Sequence, residues 1–90
     1  MNDDQIRAGV LETLRGIAPE VADEPLAPDR ALRDQVDLDS MDWLNVIVGL
    51  HHRFGVDIPE AHYTKLVTLD GIVSYLGARL RDGPAGKTPA

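Results

Sequence analysis

Apolar residues recur at helical spacing along most of the chain, and no run alternates with polar residues long enough to make a useful strand. Ile6, Val10, Leu14 and Ile17 step by four, four and three residues, which sets them on one face of a first helix. Asn2 and Gln5 have the spacing of a capping box at its start, and Pro19 predicts an end just before it. Pro19, Pro25 and Pro28, interspersed with Asp, Glu and Ala, cannot sustain a helix or a central strand, so residues 18 to 38 read as a long loop held down by Val21, Leu26, Leu32 and Val36. A second helix starts at Asp39 or Ser40 and runs to Phe54, with Gly55 as its stop. Its core stripe is Trp43, Ile47, Leu50 and Phe54. Met41, Leu44 and Val48 form a neighbouring stripe, so this helix is apolar over more than one face and some of that surface should stay accessible.

Pro59 and Glu60 open a short third helix through Leu66. Thr68 caps a fourth, carrying Leu69, Ile72, Val73, Leu76 and Leu80, with Arg79 and Arg81 near its C-terminal end and Gly83-Pro84 as its stop. The expected fold is all-α: a small four-helix bundle of three longer helices and one short one, with a long first loop. Residues 1–82 form the domain and 83–90 a flexible C-terminal tail.

Ninety residues suffice for one modest core and not for a cleft between two lobes, which argues against an enzyme. The formal charge of -6, with nine Lys and Arg scattered along the chain, argues against a nucleic-acid partner. There is no cysteine, so any thiol chemistry comes from outside the chain. The N-terminus has neither the charge nor the apolar run of a signal peptide, and no stretch reaches membrane-spanning length; a cytoplasmic protein without a membrane span is expected.

The candidate chemistry centres on Ser40, where the acidic run Asp34, Asp37 and Asp39 gives way to the apolar second helix. Asp39 can cap that helix, leaving Ser40 in the first turn with an outward hydroxyl near unpaired backbone N–H groups, a place that favours a phosphate ester. Nothing local can activate the hydroxyl: His51 and His52 lie about three turns further on, roughly 16 Å away along the helix. Modification by a second protein is the better chemical reading than a self-contained nucleophile.

Asp39-Ser40-Met41, the helix ending in Phe54, then Val56-Asp57-Ile58-Pro59-Glu60, and Thr68 to Leu76 together resemble the acyl carrier protein family over roughly residues 4 to 80. The family signature is an Asp-Ser-Leu triplet, an aromatic residue ending helix two, an Ile-Pro pair and a Thr-capped last helix. The resemblance implies that Ser40 receives a covalent 4'-phosphopantetheine from coenzyme A through a separate phosphopantetheinyl transferase, and that the arm's thiol carries acyl groups between acyl-loading and acyl-transferring enzymes of a lipid or secondary-metabolite pathway. It further implies that Asp39 helps the transferase engage, and that Met41, at the family's usual Leu, fills an apolar socket on it; Met keeps the volume and apolarity of Leu.

On the same resemblance, the partner surface comprises Asp42, Trp43, Leu44, Asn45, Val48, His51, His52 and Ile58. Members that serve fatty-acid synthesis carry docking glutamates along helix two, where this chain has Asn45, His51, His52 and Arg53. A dedicated partner set is therefore expected. The chain opens at Met1 with no linker before the first helix, from which a specialised, free-standing member is expected, with a monomer as the default state. Peptidyl carriers show a Gly-Gly pair shortly before the serine; Asp37-Leu38-Asp39 stands there instead, which favours an acyl over a peptidyl or aminoacyl cargo. The remaining alternative is an unmodified helical adaptor that binds partners through helix two.

Two blander patterns need weighing. His51 and His52 point about 100° apart on a helix and cannot share one metal ion, so these and His62 read as surface polarity or as a pH-sensitive partner contact. A calcium loop counted from Asp37 would put its oxygen ligand at Met41, its glycine at Asp42 and its glutamate at Val48, and fails. Trp43 is expected to be partly buried, and Leu14, Val46, Ile47, Leu50, Tyr75 and Leu76 to supply interior bulk.

Overall fold

A computed structural model describes residues 2–22 and 26–87. The elements run α1 (Asp3–Ile17), a 3₁₀ turn (Pro19–Ala22), the single-turn α2 (Leu32–Gln35), α3 (Ser40–Phe54), a 3₁₀ helix (Glu60–Leu66) and α4 (Leu69–Lys87). Among the described residues there is no strand beyond one isolated bridge between Ala31 and Thr68. This is the expected small four-helix bundle, with the short third helix wound as 3₁₀ and two extra turns, Pro19–Ala22 and Leu32–Gln35, inside the long loop.

Local rules set the helix ends. The Asn2 side chain accepts from the Gln5 N–H at 2.8 Å and the Gln5 side chain accepts from the Asn2 N–H at 2.9 Å, closing the capping box. Thr68 Oγ1 accepts from the Gly71 N–H at 2.9 Å at the head of α4. Gly55 ends α3 at φ 66°, in the left-handed region where any other residue is strained. At the other end of the molecule α4 continues past Gly83-Pro84, the predicted stop, to Lys87. Among the residues whose side chains are described, Leu80 is the last of α4 packed against the core. Arg79 and Arg81 therefore sit mid-helix, and Arg79 donates to the Asp57 carbonyl at 3.2 Å. Residues 88–90 of the expected tail lie outside the described residues.

One core joins all the elements. Ile6, Val10 and Leu14 of α1 meet Val46, Ile47, Leu50 and Phe54 of α3 and Leu69, Ile72, Val73 and Leu76 of α4, all buried. Helices α1 and α3 come close because each presents a glycine to a side chain of the other: a Cβ on Gly9 would lie 2.7 Å from Phe54 Cζ, and one on Gly49 would lie 2.8 Å from Thr13 Cγ2. The long loop crosses this core with Val21, Leu32, Val36 and Leu38 turned in. It is fastened to the head of α4 by Leu32 N–H to Val67 O at 2.8 Å and Asp70 N–H to Pro28 O at 2.9 Å. The Gln35 amide also staples the loop to itself, accepting from Ala27 N–H at 2.7 Å and donating to the carbonyls of Ala27 and Arg30, each at 3.0 Å.

Candidate functional site

Buried Val36 and Leu38 hold the strand-like segment that enters α3, so the chain emerges at the surface as the helix begins. Asp39 sits there in extended conformation, and its carboxylate accepts from the Asp42 N–H at 2.8 Å, which makes it the N-cap. Ser40 is the first helical residue and is exposed, as is Asp39. The N–H groups of Ser40 and Met41 fall in the first turn, where no carbonyl one turn back exists within the helix to receive them.

Beyond Ser40 the exposed face of α3 is apolar. Met41 is 71% exposed, Leu44 50% and Val48 51%, with the exposed Asn45 beside them. Asp42 is half-buried. Trp43 and Ile58 are half-buried and pack against the core, so only part of each is available to a partner.

The basic end of α3 is less free than its sequence suggests. His51 Nδ1 lies 2.9 Å from the Val56 carbonyl, which can only accept, so Nδ1 carries the proton; Asp57 Oδ1 lies 3.6 Å from the same nitrogen. Arg53 reaches across to Glu12 of α1 at 2.6 Å. His52 is exposed, with its ring 5.4 Å from that of His51. His62, read from sequence as surface polarity or a partner contact, is half-buried, with Nδ1 2.7 Å from the Tyr75 hydroxyl. That pairing joins the 3₁₀ helix to α4 and is invisible along the chain because the two residues lie thirteen apart. No group of three or more His, Asp or Glu among the described residues is arranged to hold a metal ion.

The structure also gathers residues that the sequence does not connect. Ala31, Arg33, Tyr63, Thr64 and Val67 line, with Trp43, a surface depression of about 230 Å³. Trp43 follows Ser40 by three positions and so shares its side of α3. Arg33 Nε donates to the Leu38 carbonyl at 3.3 Å, which fixes the guanidinium against the segment leading into Ser40. Val67, 48% exposed, is an apolar residue on this feature that the sequence did not single out.

An exposed hydroxyl at a capped helix start, with a donor-rich first turn and an apolar face beside it, suits a phosphate ester carrying a long substituent. A family model described as "Phosphopantetheine attachment site" matches residues 8–76. The acyl carrier protein of Renibacterium salmoninarum is 30% identical over 80 residues, covering 86% of this chain and 94% of that protein. That of Thermobifida fusca is 30% identical over 70 residues, covering 74% and 89%. The meromycolate extension acyl carrier protein of Mycobacterium leprae is 26% identical over 77 residues, covering 86% of this chain and 64% of that protein. A carrier and not an enzyme, the chain belongs to the acyl carrier protein family and bears acyl groups as thioesters on a phosphopantetheine arm.

Proposed function

We propose that the arm is esterified to Ser40 Oγ and is taken from coenzyme A by a phosphopantetheinyl transferase. The observation that carries this reading is the exposed Ser40 at the Asp39-capped start of α3. The chain's other serine, Ser74, is also exposed but lies inside α4, where backbone N–H groups are already used by the helix. In the transfer the Ser40 oxygen bonds to the phosphorus next to pantetheine, the pyrophosphate bond of coenzyme A breaks, and 3',5'-ADP leaves. The hydroxyl proton passes to a base on the transferase. The arm's terminal thiol then supplies the thioester linkage to cargo.

Electrostatics divides the roles around Ser40. A helix N-terminus favours an anion by about 0.3–1 kcal/mol. The carboxylates of Asp39 and Asp42 oppose one by a similar amount, since two unit charges 4 Å apart in water interact by about 1 kcal/mol. They therefore serve the docking of a basic transferase surface better than the holding of phosphate. Met41, Leu44 and Val48 supply the apolar contact for partners, with Asn45, His51 and His52 at its edges.

Because acidic docking residues are missing from that face, the protein serves dedicated partners of a lipid or secondary-metabolite pathway, working in the cytoplasm alongside its coenzyme A supply. Two experiments test this. Tryptic digestion after modification should place the added mass on the peptide spanning 34–53, whose only hydroxyl side chain is Ser40; mass on the peptide with Ser74 instead would refute the assignment. Replacing Asn45, His51 and His52 by Glu should raise affinity for a general fatty-acid ketosynthase, and unchanged affinity would count against a dedicated partner set.

A further inference from the structure

We propose that the dedicated partners of this carrier meet the C-terminal half of α3 with carboxylates set around an apolar pocket, and bind it more tightly when His51 and His52 are protonated. This rests on the dedicated-partner reading and names the partner's chemistry. Met41, Leu44, Val48 and His52 follow one another at steps of three, four and four residues. The exposed apolar stripe that begins beside Ser40 therefore ends in an imidazole, with His51 next to it, and both histidines are exposed. Asp39 and Asp42 make the start of the stripe acidic, but from Trp43 to Val56 the chain has no carboxylate. A basic partner patch suits the Ser40 end and finds nothing to pair with at the other.

Among the described residues, the charged groups in contact with this end balance. Arg53 pairs with Glu12 of α1 at 2.6 Å. The loop after α3 brings Asp57, with Oδ1 3.6 Å from His51 Nδ1, and α4 brings Arg79, which donates to the Asp57 carbonyl at 3.2 Å. The two imidazoles therefore set the sign: protonated, they make this end positive on a chain whose formal net charge is -6. The ring of His51 also has its nitrogens assigned. Its Nδ1–H donates to the Val56 carbonyl at 2.9 Å, which leaves Nε2 as the nitrogen for a partner. In the neutral ring Nε2 offers only a lone pair; protonation gives it an N–H. A carboxylate placed there then gains a charge-assisted hydrogen bond, whereas an ammonium group is repelled.

Two synthetic helical peptides with the same leucine face, one bordered by glutamates and the other by lysines, are titrated into the unmodified protein at about pH 6 and about pH 8, with binding followed at each backbone amide by NMR. Both peptides hold their charge across that range, whereas imidazole does not. The glutamate peptide should move the signals of Leu44, Val48, His51 and His52. It should bind that face about threefold more tightly at the lower pH, the scale of one exposed ion pair. The lysine peptide, which the net charge of the chain favours, should gather at Asp39 and Asp42 instead. His51→Gln combined with His52→Gln should abolish the pH effect, with core signals left in place. His52→Gln alone, which keeps the bond to Val56, should reduce it. A glutamate peptide that leaves this face unmoved, binds it equally at both pH values or keeps its pH effect in the double variant would overturn the proposal. So would a lysine peptide seated at His51 and His52 at the lower pH. The peptides need no arm, so none of these outcomes bears on attachment at Ser40. A gain of ketosynthase affinity on the exchange to glutamate would leave the dedicated-partner reading standing even if the peptides refuted the acidic partner.

Discussion

Asp39 has two separable tasks at the residue scale, one structural and one electrostatic. Its carboxylate caps α3, and in the proposed function its charge faces the transferase. Asparagine caps nearly as well, so Asp39→Asn should change unfolding free energy by less than about 0.5 kcal/mol, whereas Asp39→Ala should cost about 1 kcal/mol. If the charge guides the transferase, both variants should be modified more slowly at low salt, by a similar factor. Equal stability loss in both, measured by urea denaturation, would show that the cap is not made. This part of the site was legible because caps, the exposed hydroxyl and the left-handed Gly55 obey rules that span four residues or fewer. The partners of Arg53, His51 and His62 were not, since each is set by how separate elements meet.

Among the elements, the loop between α1 and α3 shows what sequence reading can and cannot reach. Its proline content correctly ruled out a long helix, and Val21, Leu32 and Val36 are buried as their apolarity suggested. The turn at Leu32–Gln35 escaped notice because four residues carry no period, and because Gln35 works through carbonyls and an N–H up to eight positions away. Gln35→Ala removes these bonds and strands the Ala27 N–H in a partly buried site. It should cost about 1–3 kcal/mol in chemical denaturation. A loss below about 0.5 kcal/mol would mean water replaces the staple and the loop is held by its apolar residues alone. Helix α3 is the better-read element: its excess apolar breadth predicted accessible surface, and Met41, Leu44 and Val48 provide it. On α4 the helix runs past the predicted Gly83-Pro84 stop to Lys87.

Taken as a whole molecule, one small core supports everything that positions Ser40. A domain of this size has a net stability of about 5–15 kcal/mol. Substituting alanine for Leu50, fully buried where α3 crosses the core, should cost about 2–5 kcal/mol, enough to lower the thermal midpoint by about 8 °C or more on the usual scale of about 4–8 °C per kcal/mol. Ser40→Ala, at an exposed position, should leave stability within about 0.5 kcal/mol, so loss of modification in that variant reports chemistry and not folding. The most direct measurement is the intact mass of wild type and Ser40→Ala after incubation with coenzyme A, magnesium and a broad-specificity phosphopantetheinyl transferase. One added phosphopantetheine on the wild type and none on the variant is the expected result. Equal gain on both proteins, or no gain on the wild type with several transferases, would contradict the assignment of Ser40 as the point from which this carrier holds its cargo.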